Sequence, residues 1–334
     1  MMVSNRGVLV CGELVDGSIS STTRELLAVG RKLSNDLGQS LSTLIIGDKI
    51  DDQALELISL GADQVYVTEG PKFYDAPSEL YVAIISECCK QLTRSIILIG
   101  QTDMGREVAP RLAARLGATV TMDCIELTIE TQTKRMLLTK PVYGGNAIAV
   151  WASESNKPQI VTLRPRSSMP AVPDPTRKGN VTILSISLDF SMIKSRLVKT
   201  AKEEIKGLKL EEAKVVICGG GGIGGKEGFK LLEDLAKVLS GTIGVTRVPC
   251  DSGWMPISLE IGQTGRIISP DLYIGIGVSG APQHMAGCSG SKYIVAINRD
   301  IEANIFKEAD FGVIGEYTKV LPSLIEKFKN LILT

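Results

Sequence analysis

Apolar runs alternate with amphipathic stretches over the first third of the chain. Four runs have the length and apolar character of buried strands: Gly7–Leu14, Leu41–Ile46, Gln64–Thr68 and Ser95–Gly100. The stretches between and after them have helical spacing of apolar positions: Thr23–Leu37, Asp51–Leu60, Ser78–Leu92 and Arg106–Leu116. Strands that alternate with helices predict an α/β domain with a mostly parallel sheet covered on both faces.

After Gly117 the helical spacing disappears and β-rich runs follow one another. These runs are Thr119–Ile129, Met136–Pro141, Ala147–Ala152, Gln159–Arg164 and Val181–Ile186. They predict an antiparallel β extension of the first domain, with a tight hairpin turn at 144–146. A proline-rich crossing segment (165–175) and a charged, linker-like stretch (194–212) come next. We therefore expect an amino-terminal domain over 1–205 and a carboxy-terminal domain over 206–334.

The carboxy-terminal part has a second α/β pattern. The strand Val215–Cys218 leads into a glycine-rich loop over 219–225 and then into a helix over Glu227–Leu239. The later runs that predict strands are Gly244–Val248, Tyr273–Val278 and Tyr293–Asn298, and Leu321–Leu333 predicts a closing helix. This order predicts a second α/β domain with a Rossmann-like arrangement of strands and helices.

The glycine-rich loop has the arrangement needed to bind a phosphate group. Glycine lets the backbone approach a ligand closely, and the amino terminus of the following helix favours anions. The pattern GxGxxG can be read from Gly219 or from Gly220, because six of seven residues are glycine. A strand-to-helix turn without a ligand fits the same letters, so the loop alone leaves both interpretations open.

Polar residues follow several other predicted strands of this domain. Ser279 and His284 follow the run Tyr273–Val278, Gln263 and Thr264 lie in a glycine-flanked turn, and Asn298 ends the run Tyr293–Asn298. Ligands of parallel α/β sheets bind beyond the carboxyl ends of the strands. These positions together predict one extended ligand.

Composition and charge argue against several classes of protein. Hydrophobic residues make up 44% and charged residues 22% of the 334 residues, and 37 basic residues balance 37 acidic ones. Such a chain is globular and has no global basic field for nucleic acid. It contains no run of about 20 apolar residues that would span a membrane. The apolar stretch near the start is short for a secretory signal, so we expect a cytoplasmic protein.

Cysteine and histidine usage argues against a metal centre. The seven cysteines are scattered without a CxxC pair, and His284 is the only histidine. A chain with one histidine has no second histidine for an acid–base pair. We therefore predict no metal site, and we expect most thiols to be buried and reduced.

Four motifs in order carry a resemblance to a known family. They are VVICGGGGIGGKEGFKLLEDLA, IGVTRVPCDSGW, IGQTGRIISPDLYIGIGVSGAPQHMAG and KYIVAINRDIEANIFKEADFGVIGEYTKVLP. They resemble the flavin-binding domain of the electron-transfer flavoprotein alpha subunit. GQTDMGREVAPRLAARLGATVTMDC and KPVYGGNAIA are similar to the amino-terminal domain of the same family. The resemblance thus covers nearly the whole chain.

The resemblance implies a redox carrier rather than a stand-alone enzyme. It implies one FAD in this chain and a heterodimer with a beta subunit that holds AMP or a second FAD. The implied electron donors are dehydrogenases of the acyl-CoA dehydrogenase type or NADH, and an electron-bifurcating complex is an open alternative. In such a protein the flavin supplies the chemistry and the chain supplies binding and electrostatics.

The resemblance also implies which residues bind the cofactor. Thr246 and Arg247 match positions near the isoalloxazine ring, Thr264 matches a hydroxyl donor near N5, and His284 matches a position near the C2 oxygen. Asn298 matches the adenosine portion. The full set that the family motifs imply is Thr246, Arg247, Ile261, Gly262, Gln263, Thr264, Ser279, Gly280, Ala281, Pro282, Gln283, His284, Asn298, Glu316 and Tyr317.

Three positions depart from the family pattern. Gly221 stands where many members have an arginine, Glu316 stands where an aspartate is usual, and Pro282 replaces an aliphatic residue. The glycine removes a charged partner for the cofactor, and the proline stiffens its turn. Two other hypotheses remain at this point: an NAD-binding or deacetylase-like protein of related fold, and a nucleotide-binding protein without redox function. A bound yellow cofactor would separate the carrier from both.

Overall fold

A computed structural model describes residues 7–48, 50–70, 77–92, 95–145, 147–152, 158–186, 193–195, 198 and 210–332. The chain divides into two compact units. The first comprises 1–141 and 148–201, and the second comprises 142–147 and 202–334. The boundary expected between 205 and 206 lies outside the described residues, and so does most of the linker-like stretch over 194–212.

The main sheet of the first unit is entirely parallel. Its strands are β1 (Gly7–Cys11), β4 (Ser40–Gly47), β5 (Gln64–Glu69), β6 (Ile96–Gly100), β7 (Thr119–Cys124), β11 (Gln159–Leu163) and β12 (Asn180–Ile183). Their order across the sheet is β12-β5-β4-β1-β6-β11-β7, and each neighbouring pair is parallel. The central strands are apolar on both sides because helices cover both faces.

Four helices cover this sheet, and two of them have both a side-chain cap at the start and a glycine at the end. The four helices are α1 (Ser21–Leu37), α2 (Asp51–Ser59), α3 (Ser78–Leu92) and α4 (Asp103–Leu116). The Ser20 and Thr102 side chains accept the backbone N–H of the third residue after them, and Gly38 and Gly117 end α1 and α4 in the left-handed conformation.

The predicted antiparallel extension is only partly correct. A separate three-stranded sheet contains β8 (Glu126–Ile129), β9 (Met136–Val142) and β10 (Ala147–Ala152), and β8 and β9 are antiparallel. The runs that form β7, β11 and β12 instead join the main sheet in parallel. A short hairpin, β2 (Leu14–Val15) and β3 (Ser18–Ile19), was not predicted.

The turn predicted at 144–146 is a 3₁₀ turn over Tyr143–Gly145, and Asn146 lies outside the described residues.

The second unit contains a five-stranded parallel sheet. Its strands are β13 (Val215–Gly219), β14 (Thr242–Val245), β15 (Leu272–Ile276), β16 (Tyr293–Asn298) and β17 (Phe311–Ile314), in the order β14-β13-β15-β16-β17. The predicted strand over Gly244–Val248 ends earlier, because Thr246 begins a helix. The helices are α5 (Phe229–Val238), α6 (Arg247–Asp251), α7 (Pro282–Met285) and α8 (Tyr317–Ile332). This is a doubly wound order in which the first strand lies between the second and the third.

Apolar side chains bury both faces of this sheet. Phe229 and Leu232 of α5 and Leu321 of α8 are fully buried against one face. Trp254 is partly buried against the same cluster, which makes its role a packing one. No described helix is long and apolar enough to cross a membrane.

Candidate cofactor site

The second sheet changes winding direction between β13 and β15. The chain leaves β13 toward β14 on one side and later returns to β15 on the other. A crevice opens at the carboxyl ends of two such strands, and doubly wound proteins bind their ligands there. The glycine-rich loop follows β13, and the Ser279–His284 segment follows β15, so both predicted ligand-binding segments meet at this crevice.

Glycine allows the two segments to touch backbone to backbone. The Gly222 N–H donates to the Gly277 carbonyl at 3.0 Å. A Cβ on Gly220 would lie 2.2 Å from that carbonyl oxygen, so no side chain fits there. Gly277 has a φ of +62°, and a Cβ on Gly280 would lie 2.2 Å from the Ile305 nitrogen. Here glycine is required for this close approach, whether or not a ligand is bound.

Backbone hydrogen bonds join the remaining predicted segments to the same edge. The Thr246 N–H donates to the Gly219 carbonyl, and the Ile261 N–H donates to the Val245 carbonyl. The Gln263 N–H donates to the Gln283 carbonyl at 2.8 Å, which joins the Ile261–Arg266 turn to α7. The Tyr317 hydroxyl donates to the Ile223 carbonyl at 2.9 Å, which brings the start of α8 to the glycine loop. All five segments therefore surround one crevice.

His284 lies beneath this edge rather than in the open crevice. Its side chain is buried, Nδ1 lies 2.8 Å from the Ile261 carbonyl oxygen, and Nε2 lies 2.7 Å from the Tyr273 hydroxyl. Burial lowers the pKa of the imidazole, although the contact with Ile261 opposes this shift. Both ring nitrogens thus have protein partners, and a direct bond to a flavin oxygen would have to replace one of them.

Two other polar side chains of the predicted set also have partners within the protein. The Thr264 hydroxyl donates to the Glu260 carboxylate at 3.0 Å. The Asn298 amide donates to the Val278 carbonyl, and its oxygen accepts the Asp300 N–H. These hydrogen bonds hold the Thr264 and Asn298 side chains against neighbouring protein groups at the edge of the crevice.

The exposed members of the predicted set supply the polar surface. Arg247, Gln263, Ser279, Gln283 and Glu316 are exposed, as are the small residues Ala281 and Pro282 at the start of α7. The Arg247 guanidinium is 68% exposed and pairs with Asp251 one turn further along α6. An exposed pair of this kind is weak, so the guanidinium is available to a ligand. Ile261, Gly262 and Gly280 are buried, and they contribute backbone rather than exposed side chains to this edge.

Sequence reasoning missed three residues that touch the imidazole. Tyr273 on β15, Cys218 on β13 and Cys288 after α7 surround His284 Nε2 at 2.7, 3.9 and 3.8 Å. Burial raises the pKa of Cys218 to about 12 and that of Cys288 well above its ordinary value. The only signal in the sequence was a tyrosine in an otherwise apolar buried strand.

The first unit also has a change of winding direction, between β1 and β6, and polar side chains meet there. The Thr102 hydroxyl donates to the Glu13 carboxylate at 2.8 Å, and Asp103 begins α4 beside it. Burial raises the pKa of Glu13 to about 7; the Thr102 bond opposes the shift and Asp103 adds to it. Two acidic side chains disfavour a phosphate, so the glycine-lined crevice of the second unit is the better ligand site.

The crevice of the second unit fits a dinucleotide such as FAD. It combines a glycine-rich loop whose backbone packs directly against Gly277, a permanent cation at Arg247, and the exposed side chains of Ser279, Gln263 and Gln283. The described residues include no group of three or more histidine, cysteine or acidic side chains that could hold a metal ion.

Comparison with known proteins accounts for both units. Residues 8–189 match the electron transfer flavoprotein domain, and residues 209–289 match the electron transfer flavoprotein FAD-binding domain. The second match includes the glycine loop, the Ile261–Arg266 turn and α7. The two matches together extend over most of the chain.

Full-length relatives carry the same description. The chain is 39% identical to the electron transfer flavoprotein subunit alpha of Thermoanaerobacterium thermosaccharolyticum, over 98% of each chain. It is 38% identical to that of Bacillus subtilis, over 97% of this chain and 98% of the relative. It is 32% identical to a subunit of the lactate dehydrogenase (NAD(+),ferredoxin) of Acetobacterium woodii, over 96% of this chain and 76% of the relative. The chain therefore belongs to the electron transfer flavoprotein alpha-subunit family.

Proposed function

We propose that this chain binds one FAD in the crevice between β13 and β15 and carries electrons as the alpha subunit of a heterodimer. The observation that carries the proposal is the glycine-rich loop at the change of winding direction, where Gly220 and Gly222 approach the backbone of Gly277 too closely for side chains. The match of residues 209–289 to an FAD-binding domain supports the choice of cofactor.

The residues around the cradle have separate tasks in this proposal. Arg247 supplies a charge that persists at all physiological pH values, next to the ring or the phosphates. Ser279, Gln263 and Gln283 present exposed side chains to carbonyl and phosphate oxygens. Asn298 and Glu316 lie at the adenosine end, and Asn298 acts by shaping the backbone of Val278. Bound FAD supplies the acceptance and release of electrons.

We propose a beta subunit as the permanent partner, holding AMP or a second FAD, and a flavin dehydrogenase of the acyl-CoA dehydrogenase type as electron donor. A cytoplasmic location goes with this proposal. The likeness to a subunit of an NAD(+)- and ferredoxin-linked lactate dehydrogenase favours one variant: service in a complex that divides electrons between two acceptors.

The test is a visible absorption spectrum of the chain purified with its co-expressed beta subunit, followed by cofactor extraction and mass analysis. We expect flavin bands and FAD near one per alpha chain. Two FAD per heterodimer would favour the electron-dividing variant. A colourless protein that also fails to bind added FAD would refute the proposal and favour nucleotide binding without redox function.

A further inference from the structure

A closed group of polar side chains lies behind the Ile261–Arg266 turn. It consists of Cys218, Tyr273, His284 and Cys288, which are between 0 and 6% exposed. They come from β13, from β15, from α7 and from the residues after α7. His284 touches the backbone of the turn that borders the crevice.

The partners of the imidazole determine where its proton lies. A carbonyl oxygen only accepts, so the Ile261 carbonyl, 2.8 Å away, requires the proton on Nδ1. In a neutral ring Nε2 then has a lone pair and accepts the Tyr273 O–H, 2.7 Å away. The Cys218 and Cys288 thiols lie 3.9 and 3.8 Å from Nε2, and the Cys288 thiol donates to the His284 carbonyl at 3.7 Å.

The surroundings favour the neutral ring. The groups that face it are the Tyr273 phenol, the Cys218 and Cys288 thiols and the Ile261 carbonyl, and no described carboxylate contacts it. Burial raises the pKa of Tyr273 and of both thiols, so none of these groups supplies a negative charge near neutral pH. A buried imidazolium would have no counter-charge here.

We propose that Tyr273 is a positioning residue for the cofactor site: its hydroxyl holds His284 neutral with the proton on Nδ1, and the imidazole thereby fixes the Ile261–Arg266 turn. The hydroxyl is the short, strong contact of Nε2, because the two thiols are 3.8 and 3.9 Å away. The link from the tautomer to the cofactor rests on the proposed function, whereas the tautomer itself does not.

The single histidine makes the tautomer directly measurable. We would label both imidazole nitrogens of this chain with ¹⁵N, using an affinity tag without histidine, and record long-range ¹H–¹⁵N spectra from about pH 5.5 to about pH 8.5. We expect one set of signals, with a protonated Nδ1, an unprotonated Nε2 and no titration. A proton on Nε2, or a ring that titrates within this range, would overturn the proposal without any variant.

Three variants identify the residue responsible. Tyr273→Phe should give a ring that titrates at higher pH than in the unaltered chain, because Nε2 loses its donor while the Ile261 carbonyl keeps Nδ1 protonated. Tyr293→Phe removes a hydroxyl from a half-exposed tyrosine of the neighbouring strand and should change nothing. Cys288→Ala should leave the tautomer unchanged. Identical spectra for Tyr273→Phe and the unaltered chain, or a changed tautomer in Cys288→Ala, would contradict the assignment to Tyr273.

FAD binding tests the second half of the proposal. Fluorescence titration of the heterodimer should give a Kd about tenfold higher for Tyr273→Phe, the equivalent of one ordinary hydrogen bond, and an unchanged Kd for Tyr293→Phe. An altered titration of the ring with an unchanged Kd would overturn the link to the cofactor. Failure of the unaltered heterodimer to bind FAD would instead refute the proposed function and leave the tautomer result standing.

Discussion

At the scale of single residues, neighbouring glycines of one loop meet different surroundings. A Cβ on Gly220 would collide with the Gly277 carbonyl at 2.2 Å, in a backbone contact that cannot yield locally. A Cβ on Gly221 would meet only the Val248 side chain, at 3.1 Å, and Val248 is exposed. Substitutions at Gly220 and Gly221 can therefore distinguish the effect of the close backbone contact from the effect of losing any one glycine of the loop.

We predict that Gly220→Ala destabilises the protein by about 2 kcal/mol or more and strongly weakens FAD binding, because β13 and β15 must move apart. Gly221→Ala is the matched control and should change either quantity little. Urea unfolding and FAD titration measure the two effects. Equal results for the two variants would contradict the role of the close contact.

Arg247 permits a clean separation of binding from stability. Its pair with Asp251 is exposed and contributes at most about 0.5 kcal/mol to the free energy of unfolding. Arg247→Ala should therefore raise the Kd for FAD by tenfold or more, through loss of a charge near the cofactor, while the unfolding midpoint hardly changes.

Lys237→Ala removes a similarly exposed pair, that with Asp234, from α5 and serves as the control for Arg247→Ala. Calorimetry and FAD titration of both variants check the prediction. An unchanged affinity in Arg247→Ala would remove Arg247 from the site.

The sequence predicts which segments form the site better than it predicts whether each side chain is exposed or buried there. Ser279 and His284 lie in one polar segment, but Ser279 is exposed and His284 is buried. The difference arises from Tyr273 and Ile261, which lie 11 and 23 positions away along the chain. Partners this distant leave no periodic signal in the segment itself.

At the scale of elements, the sequence predicts where strands lie better than whether neighbouring strands pair in parallel or antiparallel. The runs that form β7, β11 and β12 are short and β-rich, and both parallel and antiparallel pairing suit such runs. Their partners decide: β11 pairs with β6, and β12 pairs with β5. The alternation of strands and helices up to Gly117 is a local pattern, which explains why β1, β4, β5 and β6 and the helices α1 to α4 agree with prediction.

Helix α1 and strand β1 place two carboxyl groups where burial makes stability depend on pH. The Glu25 carboxylate on α1 accepts the Arg166 N–H at 2.7 Å, and burial raises its pKa to about 7 against this bond. Glu13, beyond β1, has a pKa raised to about 7 by burial. Since the ordinary value is 4.5, the folded state holds protons that the unfolded state releases between about pH 4.5 and pH 7.

We therefore predict that the free energy of unfolding decreases as the pH rises from about 4.5 to about 7 and that this decrease ends above 7. Glu25→Gln should flatten this slope, and the exposed Glu227→Gln should not. Urea denaturation at a series of pH values measures both. A stability that rises across this interval in the unaltered chain would contradict the assignment.

At the scale of the whole molecule, each unit has its own apolar core. One pair of clusters fills the first unit and a second pair fills the second. A ligand that binds only the folded second unit stabilises that unit by mass action.

We predict that FAD at about 100 times its Kd slows hydrogen exchange in β13, β15 and α7, by a stabilisation of about 2.7 kcal/mol where exchange requires the second unit to unfold. Exchange in β1, β4 and β6 should not change in the isolated chain. Mass spectrometry of peptic peptides, with AMP as the control ligand, checks this. Protection confined to the first unit would contradict the placement of the cofactor.

The return of β12 to the far edge of the first sheet has a consequence for synthesis on the ribosome. Gln64 of β5 donates to Thr182 of β12, 118 positions later in the chain. At a synthesis rate of roughly 5–20 residues per second, about 6 to 24 seconds pass between the synthesis of β5 and that of β12, which pairs with its outer edge. Throughout that interval the nascent chain presents an unpaired strand edge, the kind of surface that chaperones cover.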